Sequence, residues 1–341
     1  SLCTLLTNYR HDDVGPTISS VTSTANNATY GVGAVIPVTV TFTEPVFVTG
    51  TPQITLETGA TDAVVNYASG SGTTTLRFNH TVALGQNTMD LEAASTSALA
   101  LNSGTILDTA GNAANLALPA LGGSGSIAGQ KDIIIDTTSP VVAYESISPV
   151  SPGMSQMPIV SVSLTEPSTV TLYSDHTCTA AISGATSLSA GSGQAITTFT
   201  LTSNSTTDIY AKAVDPVANA SSCTNLVVYV HDNVAPAVAS FVRSSSQGSF
   251  TNSVPISFTV TFNEPMTTGS FTASDISNTG TATGITWSVA SVSSTEFTVS
   301  ATSAGTGTLI PRIANGGVSD VAGNISISQF TASESVNYAA T

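Results

Sequence analysis

Three carboxylate-bearing elements recur in the same order along the 341 residues. Each set opens with a linker that ends in proline: Asp12-Asp13-Val14-Gly15-Pro16, Asp136-Thr137-Thr138-Ser139-Pro140 and Asp232-Asn233-Val234-Ala235-Pro236. A Glu-Pro pair follows at Glu44-Pro45, Glu166-Pro167 and Glu264-Pro265, with the glutamate 28, 26 and 28 residues after the linker proline. The third element is Asp108-Thr109-Ala110-Gly111-Asn112, Asp215-Pro216-Val217-Ala218-Asn219 and Asp320-Val321-Ala322-Gly323-Asn324. Carboxylates gathered without Lys or Arg repel one another unless a cation sits among them. Calcium suits such a set, because it accepts six to eight oxygens from carboxylates, amides, carbonyls and water in flexible geometry. The same residues also have an ordinary structural use. Asp and Asn close turns through side-chain to main-chain hydrogen bonds, and Glu-Pro can simply end a strand. The choice depends on whether the fold brings the three elements together.

The elements that would position them read as strands. At two, four and six residues before each glutamate stand Phe42, Val40 and Val38; Leu164, Val162 and Val160; and Phe262, Val260 and Phe258. Thr or Ser fills the positions between, apart from Asn263, so each run has one buried and one wet face. Pro37, Pro158 and Pro255 precede the glutamates by seven to nine residues, where a strand start or edge tolerates a missing N–H. Further alternating runs at 73–78, 195–201, 208–214 and 296–300 are separated by Gly, Ser and Asn clusters. Roughly seven short strands per ~100 residues is the signature of an immunoglobulin-like sandwich, and Tyr210 is placed to form its tyrosine corner. The expected fold is all-β, with three tandem immunoglobulin-like β-sandwich modules in an extended array at 13–136, 137–232 and 233–341.

Composition agrees and excludes several partners. Six Lys and Arg stand against 21 Asp and Glu, for a net charge of −15. Nucleic acid and anionic membrane surfaces need clustered cations and are poor partners for such a chain. No run approaches the ~18 apolar residues that cross a bilayer, so this segment is not expected to insert into a membrane.

Cys3 to Asp12 aligns without gaps on Cys223 to Asp232, and both cysteines precede their linker proline by 13 residues. Residues 1–12 are therefore expected to be the last strand of a truncated upstream module. With Cys3 assigned there, Cys178 and Cys223 fall inside one module and could pair as a disulfide, which would indicate an oxidising, extracellular compartment. Separate buried thiols, common in β cores, are the alternative.

The linkers, the Glu-Pro pairs and the Asp-x-x-x-Asn loops resemble tandem bacterial immunoglobulin-like repeats of large surface or secreted adhesins. The first module, with Thr51 to Gly59 and a long stretch from Met89 to Asn112, is the closest in type. The middle module resembles a shorter, cysteine-bearing variant and the third a further one. In such a sandwich the chain enters at one pole, and the second and penultimate strands return to it. The linker Asp, the Glu and the loop should therefore meet at the N-terminal end of each module. The expected calcium ligands are Asp12 or Asp13 with Glu44, Asp108 and Asn112; Asp136 with Glu166, Asp215 and Asn219; and Asp232 with Glu264, Asp320 and Asn324. Calcium at module junctions of similar repeats is what the resemblance implies. Pro216 and Ala218 make the middle loop the departure from the pattern.

No enzyme is expected. His11, His80, His176 and His231 are scattered, neither a nucleophile elbow nor a metalloprotease spacing is present, and the acids repeat once per module, as structural metal sites do. His11-Asp12 and His231-Asp232 read as solvated linker pairs. Two non-catalytic functions remain: a stalk on the cell surface whose partners are its own neighbouring modules, or a binding module for a glycan or protein on a target cell. Trp287 alternates with Ile285 and Val289, which favours core over a sugar platform, and open sheet edges leave self-association in a fibre as a further partner.

Overall fold

In the computed structural model, which describes residues 11–326 and 328–340, the chain is almost entirely strand and loop. The four-residue α-helix Ile127–Gln130 and the 3-10 turn Ala273–Asp275 are the helical elements among the described residues. The expected upstream strand falls largely on residues 1–10, outside the described residues.

The middle module shows the sandwich plainly. Strands Val142–Ser148, Ile159–Leu164 and Gly191–Thr197 form one antiparallel sheet in that order. Strands Thr186–Leu188, Ser168–Tyr173, Thr206–Val214 and Thr224–Val230 form the other. Named in chain order, these are sheets ABE and C′CFG, the immunoglobulin-like arrangement. In the third module Val238–Arg243, Ile256–Phe262, Glu296–Ser303 and Thr286–Ser291 make an antiparallel ABED sheet. Its opposite face is built from short pieces, with Pro311–Ile313 between Ile276–Asn278 and Phe330–Thr331, and Val336–Tyr338 between Phe250–Thr251 and Gly307–Leu309.

The first module departs from this plan in its second strand. Val35–Thr49 runs straight through Glu44-Pro45. Its first part pairs with Thr73–Thr81, the register breaks between Thr41 and Val46, and its last residues pair instead with Thr105–Leu107. Glu-Pro here marks where one strand changes partners, whereas in the other two modules the strand ends just before it. Pro37 likewise lies inside the strand, just past the Val38–Ser23 pair that ends the ladder with strand Ile18–Ser23.

Alternation predicts the burial. The nine apolar residues before the three glutamates are all buried, none more than 5% exposed. Buried side chains form three separate cores, one spanning Val21 to Ile135, one Val142 to Tyr229 and one Phe241 to Val336. In the third, Phe262, Phe271 and Phe297 meet edge to face at centroid distances of 5.4 to 5.9 Å, a favoured aromatic geometry. Trp287 is half-buried against the same core, the packing role its alternation implies. Tyr210 is only half-buried. The fully buried tyrosine of the middle module is Tyr229, in the last strand, whose hydroxyl donates to the Ser155 carbonyl at 2.8 Å. The buried tyrosine hydroxyl bond of this module is thus made by Tyr229 and not by Tyr210.

By contact the chain divides into two compact units, Ser1–Pro140 with Val214–Ser221, and Val141–Ala213 with Ser222–Thr341. The loop carrying Asp215 and Asn219 thus packs with the first unit, and Val217 lies close against Gly31 there.

Cys178 and Cys223 are joined in a disulfide, with Cα atoms 5.8 Å apart. Asp175 shapes the loop that presents Cys178 at a positive φ of 52°. Its carboxylate accepts hydrogen bonds from the Thr177 hydroxyl and from the N–H groups of Thr177, Thr179 and Ala180. The Thr177 hydroxyl above all, then the Ala180 N–H, hold this carboxyl well below the usual carboxylate range.

Candidate metal centre

The linker Asp starts each site. Its carboxylate accepts the N–H two residues on, in a repeated Asx turn: Asp12 from Val14 at 3.3 Å, Asp136 from Thr138 at 2.9 Å and Asp232 from Val234 at 3.0 Å. After the linker proline, the next N–H is taken by the side chain just before the Glu-Pro pair. Thr17 donates to Thr43 at 3.1 Å, Val141 to Thr165 at 2.9 Å and Ala237 to Asn263 at 2.7 Å. Asn263 breaks the Thr/Ser alternation because an amide oxygen does the same work as the threonine hydroxyl.

The Asp-x-x-x-Asn loop supplies the buried acid. Asp108 Oδ1 accepts the N–H groups of Ala110 and Asn112, both at 2.8 Å, and Oδ2 accepts Asn112 Nδ2 at 2.8 Å. Asp320 and Asn324 repeat the pattern at 2.8 Å, and Asp215 and Asn219 at 2.7 to 2.8 Å. Each asparagine then reaches back to the linker. Its Nδ2 donates to the carbonyl of Asp12 at 3.1 Å, of Asp136 at 3.1 Å and of Asp232 at 3.2 Å. The amide nitrogen therefore faces the acids. Through Nδ2, Asn112, Asn219 and Asn324 tie the loop aspartates to the linker carbonyls.

In the first unit Asp12, Glu44 and Asp108 bring carboxylate oxygens within 4.8 Å of one another, and in the second unit Asp232, Glu264 and Asp320 do the same. At the first linker it is Asp12 that lies in the cluster, and Asp13 is not part of it. Asp136, Asp215 and Asn219 belong to the first unit and Glu166 to the second.

The electrostatics of the two clusters differ. Burial pushes the Asp108 carboxyl up, but hydrogen bonds from Asn112, Gly111 and Ala110 more than offset it, so its pKa lies below the ordinary carboxylate value. Glu264 moves the other way. Burial first, then the charges of Asp232 and Asp320, raise its pKa. Its Oε1 is buried and has no hydrogen-bond partner. A cation among the three carboxylates would satisfy that oxygen and reverse the repulsion.

Of the His231-Asp232 pair, expected to be solvated, the histidine is buried and the aspartate partly exposed. His231 is 2% exposed, Nδ1 accepts the Asn204 N–H at 2.8 Å, and Nε2 lies 3.2 Å from the Met154 carbonyl. A main-chain N–H can only donate, so Nδ1 is the acceptor here and Nε2 faces the carbonyl. Next to the third loop, Met154 Sδ stands 3.7 Å from where a Cβ on Gly323 would lie.

The loops also show why the middle copy departs. Gly111 and Gly323 take φ values of 96° and 94°, a region open to glycine, and Ala218 is forced to 73° at that step. Ala218→Gly is expected to stabilise the middle module by about 0.5–1 kcal/mol, since a Cβ in the left-handed region costs on that order. Urea unfolding of the variant checks it, and a loss of stability would contradict it.

Neither a protein-family model nor a curated protein matches the sequence. Among solved structures the chain is similar to the three-domain I67–I69 fragment of titin in an E-to-A variant, at 10% identity and a TM-score of 0.35, covering 96% of this chain and 99% of that one. It is similar to the FN1–FN3 domains of chicken CNTN1 at 8% identity and a TM-score of 0.25, covering 94% and 99%. Drosophila N-cadherin EC1-4 follows at 10% identity and a TM-score of 0.24, covering 96% and 76%.

Proposed function

We infer that the chain is a non-catalytic stalk segment of a bacterial cell-surface or secreted adhesin, in which bound calcium fixes the linkers to the modules that follow them. The observation that carries this reading is the third acidic cluster, where three carboxylates lie within 4.8 Å of one another and Glu264 keeps a buried oxygen without a partner. The first cluster, Asp12, Glu44 and Asp108, repeats the donor set. Asp12, Glu44 and Asp108 hold one ion, and Asp232, Glu264 and Asp320 the other, all through oxygen, the donor chemistry calcium takes. Because one ligand in each set comes from the linker, binding stiffens the entry to the module. The Cys178–Cys223 disulfide supports an extracellular location, where such bonds persist.

Thermal melts in chelator and in 10 mM calcium test the proposal. At the roughly 0.1 to 1 mM affinity of extracellular modules, calcium is expected to stabilise each occupied module by about 1.5–2.5 kcal/mol. Superimposed melting curves would reject it.

A further inference from the structure

A cleft in the first module lies outside the acidic clusters. It opens where two neighbouring strands part. Ala63–Ser69 pairs with Thr73–Thr81 only at Tyr67–Phe78 and Ser69–Arg77, and its earlier residues pair with Gln53–Glu57 instead. The gap, about 610 Å³, is lined by Asp62, Val64 and Asn66 on one lip and by Asn79, His80 and Thr81 on the other.

Strand alternation tells which main-chain groups face it. The Tyr67 N–H donates to the Pro52 carbonyl, so residues 65 and 63 also turn towards Gln53–Glu57, and Val64 turns its N–H and C=O the other way. On the second lip Val82 exchanges bonds with Ala34 and Gly33, so His80 faces Val35–Thr49 and Thr81 faces the cleft. On the cleft side neither Val64 nor Thr81 has a strand partner. Beneath them His80, 3% exposed, keeps Nε2 without a partner. Burial also lowers its pKa, against the opposing influence of the Gln86 side-chain oxygen, so the ring offers a neutral hydrogen-bonding group. Asp62 is the one charged side chain among the lining residues, on a chain of net charge −15.

We propose that this cleft binds an extended peptide segment of a partner protein, which pairs as a strand with the main chain of Val64 and Thr81 and sets a Lys or Arg against Asp62. Strand addition draws affinity from main-chain bonds and selectivity from the side chains beside them. The site is independent of the calcium clusters.

The probe is a set of labelled, end-capped hexapeptides of alternating Thr and Val, with Lys placed at each position in turn and a matching set with Glu. Fluorescence anisotropy with the full chain should show the best Lys peptide binding at least about tenfold more tightly than its Glu counterpart. Asp62→Asn should cut that preference to about threefold or less. Thr81→Pro removes one cleft-facing N–H and should weaken every peptide about tenfold. Slowed hydrogen exchange at the Val64 and Thr81 amides of the unaltered chain should accompany binding, which keeps the proposal testable if the proline variant fails to fold. Absence of binding below about 1 mM, affinities untouched by Asp62→Asn and without amide protection, or oligosaccharides that bind this cleft while the peptides do not would each overturn it.

Discussion

Removing the Cys178–Cys223 disulfide is expected to lower the stability of the middle module by about 3–4 kcal/mol. The bond closes a loop across a sequence separation of 45, and holding a loop of that size closed in the unfolded chain accounts for about 4 kcal/mol. It anchors the loop after strand Ser168–Tyr173 to the residue just before the final strand, Thr224–Val230. Each kcal/mol moves the transition of a domain near 100 residues by about 4–8 °C, so the middle module should melt about 12–32 °C lower. Calorimetry with and without reductant, repeated on a Cys178→Ala/Cys223→Ala chain, measures this. The third module holds no cysteine, and its transition should stay in place. A shift of the middle module under about 4 °C would show that the bond contributes little.

The second large effect is a reversal of sign at Glu264. Its folded-state pKa is raised, by burial and by the charges of Asp232 and Asp320. A carboxyl with a raised folded pKa favours the folded state in its protonated form. Without calcium, the third module therefore loses stability as pH rises from the ordinary carboxylate value through the raised one, and it carries that cost at neutral pH. Glu264→Gln removes the cost. In chelator at pH 7 the variant should be more stable than the parent, with no such gain at a pH below the ordinary glutamate value. In 10 mM calcium the order should invert, because the parent gains about 2 kcal/mol that the variant cannot. Denaturant unfolding at two pH values, with calcium and with chelator, reads all four conditions. A variant less stable than the parent in chelator at neutral pH would mean that Glu264 makes a favourable contact the repulsion does not outweigh.

Much of this was legible in the residues. Alternation before each Glu-Pro placed nine core side chains, and the repeated spacing brought Asp12 to Glu44 and Asp108, and Asp232 to Glu264 and Asp320. What escaped the reading depends on where groups point in space. Asn112 and Asn324 look like ligands by type, yet only the fold shows that Nδ2, a donor, faces the acids. His231 and His11 occupy equivalent positions, but burial of His231 comes from Asn204 and Met154, residues 27 and 77 positions away. Asp175 and Glu92 gave no signal, since each works through main-chain N–H groups of a loop. Glu92, in strand Glu92–Ala93, accepts from Gly122 and Ala128 across the module. The cleft was invisible for a similar reason, because Ala63–Ser69 alternates normally and only its change of sheet partner opens the gap.

The clusters' affinity for calcium is the central claim, and direct titration calorimetry of the full chain tests it most closely. The parent chain should bind calcium with a dissociation constant of roughly 0.1–1 mM, and the Glu44→Gln/Glu264→Gln chain should lose the heat of both sites. A parent chain that gives no binding heat across this range and no melting shift, or a double variant that binds as the parent does, would contradict it.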